Sequence, residues 1–239
     1  MSIRTAVVLA GGLGTRLRSL VSDVPKPMAP IAGRPFLEYL FDYWIDQGVE
    51  RFVLSVGYRH EAIVEHFAGR YRGATLHYAR EPQPLGTGGG LLMALEHLTQ
   101  ADEHFLLLNG DTWFALDLAR FEQFAEQHHA DCCLALHRNG EPRRYTGITL
   151  DDKGHVLAFA HASADARAWI NGGVYWMRRA CLEALAHRAG QALSLEQQLL
   201  PQWLDSGLNV LGFVASGRFI DIGVPHDYQR ASALINAPR

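Results

Sequence analysis

The segment at residues 5–17 reads TAVVLAGGLGTRL and decides the predicted fold. Its opening apolar run is typical of a buried strand, and a glycine-rich loop follows directly. Glycines at the carboxyl end of a strand let the backbone approach a phosphate and point N–H groups at it. Because ligands of open α/β sheets bind at that end of the strands, the segment predicts an α/β protein with an anion site.

Strands and helices alternate through the first part of the chain, as short apolar runs separated by helical stripes. The predicted strands are residues 5–9, 52–56, 75–78, 105–108 and 131–136, and the predicted helices are residues 35–47, 61–67, 89–98 and 116–127. This alternation predicts βαβ units around a mostly parallel sheet that carries helices on both faces.

After about residue 140 the pattern changes to strands with little helix between them. The predicted strands there are residues 146–150, 156–159, 170–176, 209–213 and 218–222, and the predicted helices are residues 178–186, 194–204 and 225–235. No linker or internal repeat separates the two parts of the chain. We therefore expect a single Rossmann-like domain over residues 1–239, built on one mixed, mostly parallel sheet with helices on both faces.

Composition excludes several classes of protein. The chain has 239 residues, and its formal net charge of −3 argues against a general nucleic-acid or anionic-membrane binder, which needs a basic field. The three cysteines include the neighbours Cys132 and Cys133 and form no disulfide framework. No stretch approaches the roughly 18 apolar residues of a membrane span, and the amino terminus lacks a signal-peptide pattern. We therefore expect a cytoplasmic protein that acts without a membrane.

Positive charge concentrates near the amino terminus. Only two lysines occur in the chain, and Lys26 is one of them, held between Pro25 and Pro27. A compact ammonium group serves as a point charge for phosphate, whereas the guanidinium of Arg16 is a planar fork for phosphate oxygens. These residues predict a local anion site. The simpler interpretation is a tight turn carrying a surface arginine, followed by a solvated lysine in a stiff loop.

Five motifs, taken in order, resemble one enzyme family. They are GGLGTRL at residues 11–17 with PKP at 25–27, LGTGG at 85–89 after Glu81, NGD at 109–111, NGG at 171–173 and FIDIG at 219–223. Together they resemble the sugar-1-phosphate nucleotidyltransferases, or NDP-sugar pyrophosphorylases, over nearly the whole chain. Within that family, the residues of these segments most resemble those of the D-glycero-D-manno-heptose 1-phosphate guanylyltransferases.

The resemblance implies an Mg²⁺-dependent transfer of NMP from an NTP to a sugar 1-phosphate, with release of pyrophosphate. GTP and D-glycero-D-manno-heptose 1-phosphate are the implied substrates, and the GDP-heptose product would serve surface polysaccharide or glycan biosynthesis. Residues up to about 140 then form the nucleotide-binding half, and the rest form the sugar-binding half. The attacking sugar phosphate is already an anion, so the site must neutralise charge rather than supply a general base.

The resemblance also assigns the contacts to the nucleotide. Arg16, Lys26 and Asp111 become the catalytic residues, with Arg16 on the triphosphate and Lys26 across the reacting phosphates. The loop at residues 85–90 has few bulky side chains, so a planar base can lie against its backbone. The implied nucleotide-binding residues are Leu9, Gly11, Gly12, Gly14, Thr15, Arg16, Gly86, Thr87, Gly88 and Gly89.

The metal and sugar contacts follow from the later motifs. Asp111 and Asp221 each come at the end of a predicted strand, and Mg²⁺ is held through one or two carboxylates plus substrate phosphates. Asp221 is equally compatible with a turn before the last helix. The implied sugar-binding residues are Asn109, Tyr145, Gly147, Asn171, Gly172 and Glu196. Many relatives carry a lysine shortly after the equivalent of Phe159, and this chain lacks it. Either His161 or Arg167 then meets the sugar phosphate, or the phosphate is held in a different way.

Several alternatives stay open. Within the family, the rivals are mannose 1-phosphate guanylyltransferase, glucose 1-phosphate thymidylyltransferase and N-acetylmuramate 1-phosphate uridylyltransferase. A non-catalytic nucleotide-sugar sensor is the alternative from another class, although a sensor has no need for the Asp111 and Asp221 pair. A nicotinamide-dependent oxidoreductase is disfavoured because the glycines do not keep the G-x-G-x-x-G spacing.

The chain ends at Arg239, soon after the last predicted helix, so we expect no additional β-helix. The oligomeric state is open, with a homodimer among the options.

Overall fold

A ten-stranded mixed sheet forms the centre of the computed structural model, which describes residues 3–17, 20–21, 23–138, 145–160 and 168–237. The strands are β1 (Thr5–Ala10), β2 (Pro30–Ile31), β3 (Arg34–Pro35), β4 (Arg51–Val56), β5 (Arg70–Tyr71), β6 (Ala74–Arg80), β7 (His104–Asn109), β8 (Thr112–Phe114), β9 (Cys132–Arg138), β10 (Gly147–Leu150), β11 (Val156–Ala160), β12 (Trp169–Arg178), β13 (Val210–Val214) and β14 (Phe219–Asp221). The order across the sheet is β11-β10-β12-β7-β1-β4-β6-β5, and β9 lies against β12 and pairs with β13.

The sheet is mostly parallel when strand directions are compared. β1 runs parallel to both β4 and β7, and β6 runs parallel to β4. β12 is antiparallel to β7, while β9 and β10 are antiparallel to β12 and therefore run with β7 again. β13 is parallel to β9, so β5, β11 and β12 are the strands of this sheet, within the described residues, that run the opposite way. The predicted α/β fold with a mixed, mostly parallel sheet is confirmed.

Helices cover both faces of this sheet, and the last helix packs beside it against β14 and β2. They are α1 (Phe36–Ile45), α2 (His60–Phe67), α3 (Gly86–Ala94), α4 (Leu118–Gln127), α5 (Ala180–Glu183), α6 (Leu200–Asp205) and α7 (Pro225–Ile235), with a π-helical turn at Leu195–Leu199 leading into α6. Among the described residues, no helix combines the length and the apolar character that crossing a bilayer requires.

Alternation along the strands divides the core into two layers. The neighbours Val7 and Val8 of β1 are both fully buried but belong to different apolar clusters, because successive side chains of a strand point to opposite faces. Val8 packs in the cluster that contains Trp44 of α1, and Val7 packs in the cluster that contains Leu91 of α3. Strands buried on both faces are continuous apolar runs, which is why residues 5–9 could be predicted.

Buried polar groups link the amino-terminal ends of β1 and β4, at the end of the strands opposite the glycine loop. The carboxylate of Asp102 accepts hydrogen bonds from Thr5 Oγ1 at 2.6 Å, from the Thr99 N–H at 2.6 Å and from Thr99 Oγ1 at 2.8 Å, and it also contacts Arg51. Burial acts to raise the pKa of Asp102, but these hydrogen bonds, that from Arg51 above all, outweigh it and lower the pKa to about 2. The network therefore requires an ionised Asp102.

Two elements differ from the predictions. The helix expected at residues 178–186 is only the short α5, because the chain continues in tighter bonds from Leu185 N–H to Leu182 O and from Arg188 N–H to Leu185 O. The strand expected at residues 218–222 is β14, but it does not join the main sheet. It pairs instead with β8, a three-residue strand that sequence patterning missed. This small ladder places Asp221 opposite Thr112, one residue from Asp111.

Candidate active site

The carboxyl ends of the parallel strands carry the candidate residues. Gly11 follows β1, Gly57 follows β4, Glu81 follows β6, and Asn109 ends β7. Two clefts open along this edge, a first cleft of about 430 Å³ and a second cleft of about 350 Å³. Asn109 and Asp111 line both clefts and form the wall between them. Two ligands bound in these clefts would therefore meet at the end of β7.

The first cleft collects most of the predicted nucleotide residues. Its lining includes Leu9, Gly11, Gly12, Gly14, Thr15, Lys26, Gly86 and Thr87, together with Glu81. Gly14 adopts a left-handed conformation with φ of 59°, which brings the glycine loop against the side chain of Lys26. The glycine loop thus forms one surface with Lys26, which lies twelve positions after Gly14 in the sequence.

Two carboxylates converge on Lys26 at the junction of the clefts. The Lys26 ammonium contacts Asp111 Oδ2 and lies 3.6 Å from Asp221 Oδ1. The Lys26 side chain is only 10% exposed and that of Asp221 13% exposed, so water screens these charges weakly. The β8–β14 ladder and the hydrogen bond from the Ile222 N–H to Asp111 O at 3.0 Å hold the two acidic segments together.

Glycine at position 223 makes room for this cluster. A Cβ atom at Gly223 would lie 2.6 Å from both Lys26 Nζ and Asp221 Oδ1, closer than side-chain carbons approach such atoms. The Gly223 N–H also donates to Asp221 Oδ1 at 2.7 Å, which fixes the orientation of that carboxylate. The FIDIG motif therefore supplies both a carboxylate and the space around it.

The second cleft collects the predicted sugar residues. Tyr145, Asn171 and Glu196 line it with Asp221 and the shared wall, and Phe159 and Phe219 add apolar surface. Arg16, predicted on the triphosphate, lines the second cleft rather than the first. Its role in binding phosphate stays a prediction.

A bulge in β12 directs Asn171 into the second cleft. Asn171 pairs with Leu136 of β9 and Tyr175 pairs with Leu134, so residues 172–174 occupy the space opposite a single residue. Gly173 has φ of 71°, a left-handed conformation that suits glycine at a bulge. Its N–H donates to Asn171 Oδ1 at 2.9 Å and fixes the amide.

An unpaired acceptor lies in the wall between the clefts. The Oδ1 atom of Asn109 is buried and has no hydrogen-bond donor within the described ranges. A buried acceptor without a donor costs about 1–3 kcal/mol, which a ligand hydroxyl can remove. The position is consistent with the predicted contact between Asn109 and a sugar.

Four predicted residues line neither cleft. Gly88 and Gly89 are buried, and their N–H groups donate to Leu193 O at 2.8 Å and 3.2 Å. The structure thus gives these glycines a packing role against the chain before the π-helical turn. Gly147 and Gly172 are likewise buried within β10 and β12. Contacts of these four glycines with substrate stay predictions, and His161 and Arg167 lie outside the described residues.

Glu81 is a cleft residue to which the sequence assigned no role. Its Oε1 accepts a hydrogen bond from Ser55 Oγ at 2.9 Å, and its Oε2 accepts one from the Leu85 N–H at 3.0 Å. Each oxygen keeps a lone pair, and the side chain lines the first cleft. Its place directly after a strand of the parallel sheet was the available signal.

Among the described residues, the carboxylates of Asp111 and Asp221 form a candidate site for a divalent cation. No group of three or more histidine, cysteine, aspartate or glutamate side chains with metal-binding geometry occurs in the described part of the chain. Asp111 and Asp221 nevertheless face one ammonium group from two sides. Their oxygens are the donor type that Mg²⁺ prefers, and Mg²⁺ completes its shell with water and substrate phosphates. The pair therefore fits a cation that arrives with a nucleotide.

Comparison with known proteins decides the family. The sequence model of the nucleotidyl transferase family matches residues 5–237. The chain belongs to the nucleotidyl transferase family. It is accordingly an enzyme.

Individual relatives of this nucleotidyl transferase are similar over nearly their whole length. A D-glycero-alpha-D-manno-heptose 1-phosphate guanylyltransferase from Aneurinibacillus thermoaerophilus is 42% identical over 228 residues, which cover 95% of this chain and 96% of the relative. The enzyme of the same name from Campylobacter jejuni is 35% identical over 223 residues, with 93% and 96% coverage. The solved structure of HddC from Yersinia pseudotuberculosis complexed with GMP-PN has a TM-score of 0.84 and 32% identity, covering 97% of this chain and 99% of HddC.

Proposed function

We propose that this nucleotidyl transferase is a guanylyltransferase that uses GTP and D-glycero-α-D-manno-heptose 1-phosphate to make GDP-heptose and pyrophosphate. The observation that carries the proposal is the junction of the two clefts, where Asn109 and Asp111 are shared and Lys26 lies between two carboxylates. The first cleft would hold GTP, and the second would hold the sugar phosphate. The product would supply activated heptose for glycan biosynthesis.

The charges at the junction suit the transfer of a nucleotidyl group. An oxygen of the sugar phosphate attacks the α-phosphorus of GTP, the bond to the β-phosphate oxygen breaks, and pyrophosphate leaves with the electron pair. Lys26 lies between the clefts, where its ammonium can neutralise repulsion between the two anions during the approach. Arg16 borders the second cleft and would orient a phosphate there. No general base is required because the nucleophile is already ionised.

Asp111 and Asp221 would hold Mg²⁺ at the same junction. The cation would neutralise charge on the phosphates and align them for in-line attack. Asp111 directly precedes β8 and Asp221 ends β14, and these two strands pair with each other, so the ladder brings the two carboxylates close together. Lys26 would supply a second positive charge beside them.

Glu81 supports guanine as the base. Guanine presents two neighbouring donors, N1–H and the exocyclic amino group, which a carboxylate can accept together. Uracil and thymine offer a single N–H between two carbonyl oxygens, and those oxygens would face the carboxylate unfavourably. The carboxylate of Glu81 is held in the wall of the first cleft by Ser55 and the backbone of Leu85. The solved complex of HddC with GMP-PN agrees with a guanine nucleotide.

The second cleft supports a hydroxyl-rich acceptor. Asn171 offers an amide and Glu196 a carboxylate, and Asn109 presents an unpaired oxygen in the shared wall. Such groups recognise sugar hydroxyls by donating and accepting hydrogen bonds. The two guanylyltransferases at 42% and 35% identity are both named for the heptose substrate, which supports heptose over mannose. The single-domain organisation, its division into two halves and a homodimeric state stay predictions.

The test is pyrophosphate release measured for four NTPs, each combined with a panel of sugar 1-phosphates that includes the heptose, mannose and glucose compounds, in the presence of Mg²⁺. We expect release with GTP and the heptose 1-phosphate, and little with the other pairs. Efficient turnover of mannose 1-phosphate with GTP would establish the mannose enzyme instead. Binding of GDP-heptose without release from any pair would favour the nucleotide-sugar sensor and overturn the proposal.

A further inference from the structure

A chain of hydrogen bonds connects the two clefts through the protein interior. Thr87, which lines the first cleft, donates from Oγ1 to Glu196 Oε2 at 2.7 Å. The Tyr175 hydroxyl donates to the other oxygen of that carboxylate, Oε1, at 3.2 Å. Asn171 Nδ2 donates in turn to the Tyr175 hydroxyl, so the chain ends at a residue that lines the second cleft.

Tyr175 lies at the centre of this chain of hydrogen bonds and borders neither of the two clefts. Its side chain is fully buried, and it lines neither cleft. Its hydroxyl accepts one hydrogen bond and donates one, and both partners are residues of the second cleft. Burial, with the nearby charge of Glu196, raises the pKa of Tyr175 well above its ordinary value, so the hydroxyl stays protonated.

The bulge in β12 is what brings Asn171 to Tyr175. Four residues of extended strand would separate these side chains by about 13 Å, at about 3.3 Å per residue. Their partners on β9 are Leu136 and Leu134, only two residues apart, so the bulge roughly halves that distance. A regular strand could not make the bond between the Asn171 amide and the Tyr175 hydroxyl.

Glu196 is also fixed by a hydrogen bond from its own segment of the chain. It lies in the π-helical turn Leu195–Leu199, and its Oε2 also accepts a hydrogen bond from Ser194 Oγ at 3.3 Å. Thr87 closes the arrangement because its Oγ1 accepts from the Leu195 N–H at 2.8 Å while donating to Glu196. Three hydroxyl groups thus orient one carboxylate, and one lone pair of its oxygens remains for a ligand.

We propose that Tyr175 is a positioning residue of the acceptor cleft, whose buried hydroxyl holds the Asn171 amide and the Glu196 carboxylate at a fixed separation for the hydroxyl groups of the sugar 1-phosphate. The inference rests on the proposed function, because it assigns the second cleft to the sugar. Without the hydroxyl, the amide loses its acceptor and the carboxylate loses a donor. Both groups then turn to other partners, and the sugar meets a site that has not been preorganised.

The first test is Tyr175→Phe, which removes one oxygen atom and keeps the ring. We expect the KM for heptose 1-phosphate to rise by about 3- to 10-fold, as expected for one hydrogen bond, with the KM for GTP unchanged. Tyr43→Phe is the matched control, because the Tyr43 hydroxyl donates to the backbone oxygen of Leu116 at 2.8 Å and serves neither cleft. A purely structural role for Tyr175 would lower the melting temperature while leaving the ratio of the two KM values as in the wild type.

A second variant keeps the inference testable if Tyr175→Phe does not fold. Thr87→Val removes the hydroxyl that donates to Glu196, although Thr87 lines the nucleotide cleft. We expect this variant also to weaken binding of the sugar 1-phosphate, measured by calorimetry in the presence of a non-hydrolysable GTP analogue. In the double variant with Glu196→Gln, the effect of Tyr175→Phe should be smaller than in the wild-type background, since part of it acts through that carboxylate and only the part through Asn171 remains.

The outcomes separate this inference from the proposed function. A wild-type enzyme that turns over GTP and heptose 1-phosphate, with equal KM values for the sugar in Tyr175→Phe and Tyr43→Phe, overturns the role of Tyr175 and leaves the activity standing. Additive effects of Tyr175→Phe and Glu196→Gln would do the same. A wild-type enzyme inactive on every sugar 1-phosphate would instead remove the proposed function itself.

Discussion

Substitution of Gly223 by alanine tests the arrangement of charges at the junction of the clefts. The added Cβ would lie 2.6 Å from both Lys26 Nζ and Asp221 Oδ1, whereas ordinary van der Waals contact begins near 3.4 Å. The ammonium and the carboxylate must therefore each retreat by about 0.8 Å, the difference between these distances. Both atoms are at the ends of side chains, so the fold can absorb the change.

The expected cost is in turnover rather than in stability. A displacement of about 1 Å at the reacting groups can lower a rate by about 10²-fold, or about 2.7 kcal/mol of transition-state stabilisation. We therefore expect kcat for pyrophosphate release to fall about 10²-fold in Gly223→Ala. The melting temperature should change little, because no backbone atom is among the close contacts.

Gly69→Ala is the matched control for this experiment. A Cβ at Gly69 would meet no atom within 4 Å, and the residue is far from the clefts in the sheet order, next to β5. Its kcat should equal that of the wild type. A Gly223→Ala enzyme with wild-type kcat and an unchanged melting temperature would refute the argument that Lys26 and Asp221 must keep their present positions.

Three further predictions concern single residues. Asp111→Asn and Lys26→Ala should each lower kcat by about 10²-fold or more with the fold intact, by analogy with the loss of one electrostatic stabiliser, and near-normal turnover in both would contradict their assignment. Glu81→Gln should raise the KM for GTP and reduce the preference for GTP over UTP in the pyrophosphate assay; an unchanged ratio would remove Glu81 from base recognition. Asp102 has a folded-state pKa of about 2, below its ordinary value, so its ion pair with Arg51 stabilises the fold at neutral pH and this stability is lost as pH falls from about 4 towards 2. Asp102→Asn should accordingly lower the melting temperature at pH 7 and narrow its difference from the wild type at pH 3, and an undiminished difference at pH 3 would contradict this account.

Patterning along the chain predicted the elements that bury continuous apolar surface. The last helix was predicted at residues 225–235 and forms as Pro225–Ile235, because proline at the first turn marks its start. The strand predicted at residues 5–9 forms as Thr5–Ala10 for the reason that both of its faces are buried. These elements carry their own signal in composition and period.

Short elements gave no such signal. β8 has three residues, too few to show alternation, and it exists because β14 pairs with it from more than a hundred positions later. The bond between Thr87 and Glu196 joins two halves of the chain in the same way and follows only from the tertiary fold. The family resemblance assigned Gly88 and Gly89 to the nucleotide, whereas their contact with Leu193 could not be predicted, because no local rule brings that segment to them.

The β8–β14 ladder also has a consequence for how the enzyme is made. Asp221 follows Lys26 by 195 positions, so it leaves the ribosome well after the glycine loop and Lys26. A partly synthesised chain that has folded β1 and β7 therefore has the strands beside the first cleft but only one of the two aspartates beside Lys26. A product that stops before β14 lacks Asp221 and cannot form the full charge cluster around Lys26.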